Sequence, residues 1–205
     1  MTKIKNPFIV AGKIEPEYFC DRVKESARLI KSIINGNNLV IISPRRMGKT
    51  GLIRFCYDKP EIDKEYYTFF IDILHTSSLR EFTFALGQEI YNTLLPRSQK
   101  MALAFLQTVK SICGKFAFDP VSGMPSFNIE LGDIERPEYT LEEIFKYLNT
   151  ADKQCIVAID EFQDCIAIFE IRFFDKCTQT CPVLCALTSK SQAIATSYLR
   201  VASDT

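Results

Sequence analysis

Leu39-Val-Ile-Ile-Ser-Pro-Arg-Arg-Met-Gly-Lys-Thr50 is an apolar run that leads directly into a short turn ending in Gly-Lys-Thr. This order predicts a buried strand, then a loop whose backbone N–H groups surround phosphate groups, then a helix that begins at about Lys49. Lys49 is expected to reach the β- and γ-phosphates of a nucleoside triphosphate, and the Thr50 hydroxyl is expected to bind Mg²⁺. The residues predicted to bind the nucleotide are Ser43, Pro44, Arg45, Arg46, Met47, Gly48, Lys49, Thr50 and Gly51.

One position of this turn departs from the usual spacing, Gly-x-x-x-x-Gly-Lys-Ser/Thr, because Ser43 stands where the first glycine is usual. Glycine eases a tight turn by tolerating positive φ, so serine fits here if its φ stays negative. The alternative interpretation is a chance Gly-Lys-Thr in a loop after a strand, and a second motif argues against it.

The second motif is Gln154-Cys-Ile-Val-Ala-Ile-Asp-Glu161, in which five small or apolar residues precede two carboxylates. The apolar run predicts a fully buried parallel strand. In proteins with a phosphate-binding loop, such an aspartate holds Mg²⁺ through water and a neighbouring glutamate activates the attacking water. The predicted metal-binding residues are therefore Thr50 and Asp160. The predicted catalytic residues are Lys49 and Glu161, with Glu161 as the base. The alternative is a buried strand that ends in an acidic turn.

Composition is that of an ordinary globular domain. The chain has 205 residues, of which 47% are hydrophobic and 24% charged, and 25 Lys and Arg balance 25 Asp and Glu. No global charge attracts nucleic acid or an anionic membrane, and no signal peptide or apolar membrane span is visible, so we expect a cytoplasmic protein. The eight cysteines lack zinc-ligand spacing and are interpreted as thiols, with Cys155 in the core.

Periodicity predicts alternating strands and helices, hence an α/β fold with a mainly parallel sheet. The first helix reaches about Ile34 and is expected to bury Val23, Ala27, Ile30 and Ile34. Thr140-Leu-Glu-Glu143 is interpreted as a capping box that starts a later helix. The strands are predicted at 39–43, 66–73, 155–159 and 183–187, with a hairpin within 115–131. The helices are predicted at about 49–57, 78–95, 98–113, 140–150, 164–176 and 193–201.

The chain resembles the bacterial and archaeal predicted ATPases of the AAA+ superfamily, which are related to the STAND signalling ATPases. The resemblance rests on Asn6-Pro-Phe8 with Phe19-Cys-Asp-Arg22, on Ser43–Thr50, and on Ile159-Asp-Glu-Phe-Gln163. It implies ATP and Mg²⁺ as ligands, strand order 5-1-4-3-2, and Asp21 and Arg22 near the adenine. In that order a strand lies between those that carry Lys49 and Asp160, and only the stretch 182–189 can supply it, with Thr188 or Ser189 as the sensor residue.

The resemblance also sets expectations for domain organisation. We expect a three-layer P-loop NTPase core in a single domain over residues 1–205, with an insertion at about 97–135 and an atypical tail at about 170–205. The family's lid is not visible in the sequence, which favours an incomplete ATPase core.

Three functions are compatible with these motifs. The first is Mg²⁺-dependent ATP hydrolysis that drives a conformational switch. The second is a nucleotide-binding interaction module without turnover, and the third is a small-molecule kinase, which the adjacent Asp160 and Glu161 fit less well. A homo-oligomer or a protein partner is compatible with the family, whereas no basic stripe or aromatic platform indicates nucleic acid.

Overall fold

The computed structural model describes residues 22–44, 46–112, 116–118, 125–127, 134–162 and 183–188. Within these ranges helices and strands alternate along the chain. The strands are β1 (Leu39–Ser43), β2 (Tyr66–Asp72), β3 (Phe116–Phe118), β4 (Pro125–Phe127), β5 (Gln154–Asp160) and β6 (Val183–Thr188). The helices are α1 (Val23–Ile34), α2 (Lys49–Tyr57), α3 (Pro60–Asp63), α4 (Leu79–Arg97), α5 (Gln99–Thr108) and α6 (Pro137–Thr150), and a 3₁₀ turn covers Lys110–Ile112.

The central sheet has four parallel strands in the order β1-β6-β5-β2. β6 pairs with β1 in the register Ser43↔Thr188 and with β5 in the register Ile159↔Cys185. It therefore fills the gap between the strand before the phosphate turn and the acidic strand. In the family's numbering β5 is strand 3 and β6 is strand 4, so the observed order is 1-4-3-2, which is part of the expected order 5-1-4-3-2. This confirms the α/β fold with a parallel sheet.

The two faces of the sheet are covered by different helices. The side chains of β2 and β5 alternate in direction, as in any strand. On one face they pack against α4, α5 and α6, and on the other against α1, α2 and α3. The first face carries Tyr67, Phe69, Ile71, Cys155, Val157 and Ile159. The second face carries Tyr66, Phe70, Ile156 and Ala158.

The buried face of α1 differs from the expected one. Val23 is 73% exposed and Ile34 51% exposed, and of the expected set Ile30 alone packs against the core, whereas Ser26, Leu29 and Ile33 are buried. Both sets of positions have helical spacing, so periodicity alone does not choose between them. Packing against α2 selects the second set, since the Cys56 thiol lies 3.8 Å from the carbonyl oxygen of Ser26.

The capping box predicted at residues 140–143 is wrong. Helix α6 begins three residues earlier, with Pro137 in its first turn, where a missing N–H costs no hydrogen bond. The Thr140 hydroxyl instead donates to the carbonyl of Arg136 at 3.1 Å, and the Glu143 carboxylate accepts from the Ser111 hydroxyl at 2.6 Å. Glu143 thus joins α6 to the 3₁₀ turn that follows α5.

The other predicted elements agree in type with the structure, with shifts at their ends. α4 continues past Leu95 to Arg97 and includes Pro96, and α5 ends at Thr108 rather than near residue 113. The predicted hairpin is present as antiparallel β3 and β4, in the register Phe116↔Phe127. The helices predicted at 164–176 and 193–201, and most of the tail at 170–205, lie outside the described residues. So do Arg45, Asp21 and Ser189.

Candidate functional site

The turn between β1 and α2 depends on two left-handed residues. Gly48 has φ 73° and Arg46 has φ 64°. A Cβ atom at Gly48 would meet nothing within 4 Å, so glycine is favoured there by backbone conformation rather than by space. Ser43 is not among the described residues with positive φ, so it meets the condition under which serine replaces glycine.

Lys49 is the first residue of α2 and is buried, with only 6% of it exposed. Among the described residues, none of the carboxylates forms an ion pair with its ammonium group. Because most of this side chain is buried, its charge has less contact with solvating water than that of a surface lysine, and a counter-ion would stabilise it. An anion bound at this turn would supply that counter-ion, and the N-terminus of α2 favours negative charge at the same place.

The acidic strand meets the phosphate turn through a direct hydrogen bond. The Thr50 hydroxyl donates to Oδ2 of Asp160, a residue 110 positions further along the chain. The neighbouring Oδ1 accepts the backbone N–H of Glu161 at 3.0 Å. Asp160 is only 6% exposed. The structure therefore brings together the ends of β1 and β5 and the start of α2, as the two motifs require.

Glu161 adopts a left-handed conformation, with φ 55°. This conformation is uncommon for a residue with a side chain and often occurs at functional sites. It turns the chain at the end of β5, and the next residue, Phe162, is buried in the cluster on the α4–α6 face. Glu161 stays partly exposed at the carboxyl end of the sheet.

The oxygen atoms at this site match the ligands that Mg²⁺ prefers. A hydroxyl and a carboxylate are in direct contact, and Mg²⁺ is usually held by one or two carboxylates together with water and substrate phosphates. No group of three or more His, Cys, Asp or Glu side chains within the described ranges could hold a metal ion. A cation here would therefore need phosphate oxygens and water to complete its shell.

The remaining predicted turn residues are mostly exposed. Pro44, Arg46 and Met47 are exposed at the surface of the turn, and Gly51 is half-buried on α2. Arg22, which the resemblance implies near adenine, precedes α1 in a left-handed conformation.

Asp72 was missed by the sequence analysis. It ends β2 and pairs in register with Asp160 on the neighbouring strand. Its Oδ1 accepts the backbone N–H of Leu74 at 3.0 Å. The signal was present in the sequence, because Asp72 follows a strand-forming apolar run just as Asp160 does.

Residues 19–189 match the sequence profile of a family described as an ATPase domain predominantly from Archaea. The chain belongs to this ATPase family. It is accordingly a nucleotide-binding ATPase domain, and its parallel sheet between two helical layers is that of an α/β P-loop NTPase. The curated proteins compared with the chain gave no significant match.

Among the solved structures that have a similar fold are the following two. One is the ORC2 protein of Aeropyrum pernix in complexes with ADPNP and ADP, with TM-score 0.56 and 12% identity over 89% of this chain and 44% of that chain. The other is the Walker-type ATPase PABY2304 of Pyrococcus abyssi, with TM-score 0.50 and 20% identity over 94% of this chain and 51% of that chain. The chain thus spans about half the length of either protein.

The helices that the structure describes include none with the length and apolar character needed to cross a membrane.

Proposed function

We propose that this chain binds ATP with Mg²⁺ at the carboxyl edge of the sheet and hydrolyses it, and that hydrolysis drives a conformational switch. The observation that carries the proposal is the hydrogen bond from Thr50 to Asp160, made beside the buried Lys49. Lys49 and Thr50 are neighbours in sequence, and the contact between Thr50 and Asp160, 110 positions further along the chain, supports a triphosphate site shared by the two motifs.

Each residue has a definite role in this proposal. Lys49 neutralises the β- and γ-phosphates, and the backbone N–H groups of the turn and of the start of α2 orient them. Thr50 and Asp160 hold the metal position, Thr50 directly and Asp160 through water. Glu161 accepts a proton from the attacking water. Mg²⁺, when bound, neutralises the charge that develops on the transferred phosphoryl group.

ATP is the nucleotide we propose. The ORC2 protein binds ADPNP and ADP, which supports an adenine nucleotide in the shared fold. The proposal also includes a relation to the STAND ATPases, a cytoplasmic location, and a homo-oligomer or a protein partner. The β3–β4 hairpin supports an insertion at about 97–135 within one ATPase core.

Binding is tested by calorimetry with Lys49→Ala. We expect the variant to lose ATP binding, because truncating one partner of a buried charge pair costs about 2–5 kcal/mol. Lys100→Ala removes the same charge from an exposed position on α5 and serves as the control. Equal ATP affinity in the wild type and Lys49→Ala would refute the proposed site.

Hydrolysis is tested with Glu161→Gln. Loss of a general base lowers turnover by about 10²–10⁴-fold, whereas ATP affinity should be kept. Glu138→Gln, an exposed position on α6, is the control. If the wild-type chain binds MgATP and releases no phosphate, the nucleotide-binding module without turnover replaces the ATPase proposal.

A further inference from the structure

Asp72 is a third carboxylate at the carboxyl edge of the sheet, and it lies on the same face as Asp160. Residues directly opposite each other on adjacent parallel strands point to the same face, and the register pairs Asp72 with Asp160. Phe70, two residues earlier on β2, packs on the face covered by α1–α3. Asp72 therefore lies on the face that carries the phosphate turn, one strand spacing of about 4.8 Å from Asp160.

The two aspartates differ in what already occupies their oxygens. Both oxygens of Asp160 accept hydrogen bonds from the chain, one from Thr50 and one from Glu161. Asp72 is exposed, and among the described residues only Leu74 donates to it, at Oδ1. That bond fixes the carboxylate at the end of the strand and leaves Oδ2 available to accept hydrogen bonds from water.

Positively charged side chains near Asp72 favour an anionic ligand, and a metal ion between that ligand and Asp72 would offset their repulsion. Lys49 is buried at this edge without a described carboxylate partner. Arg54 lies one turn after Thr50 on α2, and its guanidinium carbon is 4.6 Å from the centre of the Phe70 ring. A triphosphate beside these cations would be repelled by Asp72 unless a metal ion with its water shell lay between them.

We propose that Asp72 is a positioning residue of the nucleotide site, whose carboxylate accepts hydrogen bonds from metal-bound water on the β2 side of Asp160. This inference rests on the proposed function. Acidic groups that orient the water around a bound cation determine its affinity without touching the cation, and their loss typically costs about 10–100-fold in metal affinity or activity.

The test measures Mn²⁺ binding by electron paramagnetic resonance, with the full chain saturated with ADPNP. Asp72→Asn keeps an acceptor for the Leu74 N–H and removes the charge, so we expect Mn²⁺ affinity to fall by about tenfold or more. Glu65→Gln removes the same charge from an exposed position just before the opposite end of β2. We expect this control to stay within about twofold of the wild type, as is usual for surface substitutions.

A second measurement separates a positioning role from a structural one. ADPNP affinity without divalent metal should be no lower for Asp72→Asn than for the wild type, because the substitution removes only a negative charge, which repels the triphosphate when no cation lies between them. If Asp72→Asn binds Mn²⁺ as tightly as Glu65→Gln while Lys49→Ala still abolishes nucleotide binding, the role of Asp72 is overturned and the proposed function stands. If the wild-type chain binds no ADPNP, the proposed function fails together with this inference.

Discussion

The two faces of the sheet are built from alternate residues of the same strands, yet they differ in what they contain. The face under α4, α5 and α6 is a continuous apolar cluster that includes the fully buried Phe69, Phe82 and Phe105. The face under α1, α2 and α3 has a smaller apolar cluster, and it ends at the carboxyl edge in Asp160 and Asp72 beside the buried Lys49. Among the described residues, the first face is formed mainly by apolar and aromatic side chains, whereas the second carries charge at its carboxyl edge.

This difference indicates a division of labour between the faces. Burial of large apolar side chains is the main favourable term in folding, so the larger cluster should dominate stability. A largely buried lysine, and left-handed backbone at Arg46 and Glu161, are unfavourable for folding alone and persist where the remaining structure compensates for them. The predictions below compare the two faces directly.

The largest expected effect on the free energy of unfolding comes from substituting one of two neighbouring residues of β2. Phe69 is fully buried under α4–α6, whereas Phe70 is half-buried on the other face. Phe69→Ala should lower the free energy of unfolding by about 3–5 kcal/mol. Phe70→Ala should cost about 1–2 kcal/mol, which includes the lost contact with Arg54. Urea unfolding of both variants measures this, and equal losses would mean that the two faces contribute equally to stability.

A smaller effect should appear at high pH through Cys56, which is buried on the α1–α3 face. Burial raises the pKa of its thiol from 9.0 to about 12, an effect that Lys59 partly offsets. The unfolded chain therefore loses this proton at lower pH than the folded chain does. The stabilisation is complete below pH 9 and is lost as pH rises towards 12.

Unfolding measured under reducing conditions tests this dependence. Between pH 8 and pH 10 the free energy of unfolding should fall by about 1.4 kcal/mol through this residue. Cys56→Ala should show a correspondingly shallower pH dependence, whatever its stability at pH 8. Identical pH slopes in the two proteins would exclude the thiol as their source.

The smallest expected effect is an increase in the free energy of unfolding. Lys49→Met replaces a largely buried lysine that has no described carboxylate partner by an apolar side chain of similar length. Without nucleotide, and in a buffer free of phosphate, it should raise the free energy of unfolding by about 1 kcal/mol. Thermal unfolding monitored by circular dichroism measures this. A destabilised Lys49→Met would show that Lys49 supports the fold itself.

The sequence predicted those elements that a short local pattern determines. The apolar runs that end in Ser43 and Asp160 gave β1 and β5 because a buried parallel strand needs continuous apolar side chains. The position of β6 between them followed from the resemblance rather than from its own residues. The two motifs likewise pointed to Thr50 and Asp160, whose side chains meet in the structure.

The errors arose where tertiary contacts choose between equivalent local patterns. In α1 both Val23 and Ser26 begin sets with helical spacing, and packing against α2 decides which set is buried. Glu143 had the spacing of a capping residue but pairs with Ser111, which lies 32 residues away. Asp72 ends an apolar run as Asp160 does, but only the pairing of β2 with β5 places it next to Asp160, and no local pattern shows that pairing.

A double-mutant cycle on Thr50 and Asp160 tests most directly whether the two motifs form one site. The affinity for ADPNP with Mg²⁺ is measured by calorimetry for the wild type, Thr50→Val, Asp160→Asn and the double variant. Residues that share one metal–triphosphate site should show a coupling energy of about 0.5–3 kcal/mol. Losses that add to within about 0.3 kcal/mol would mean that the two residues act independently, and would contradict the shared site.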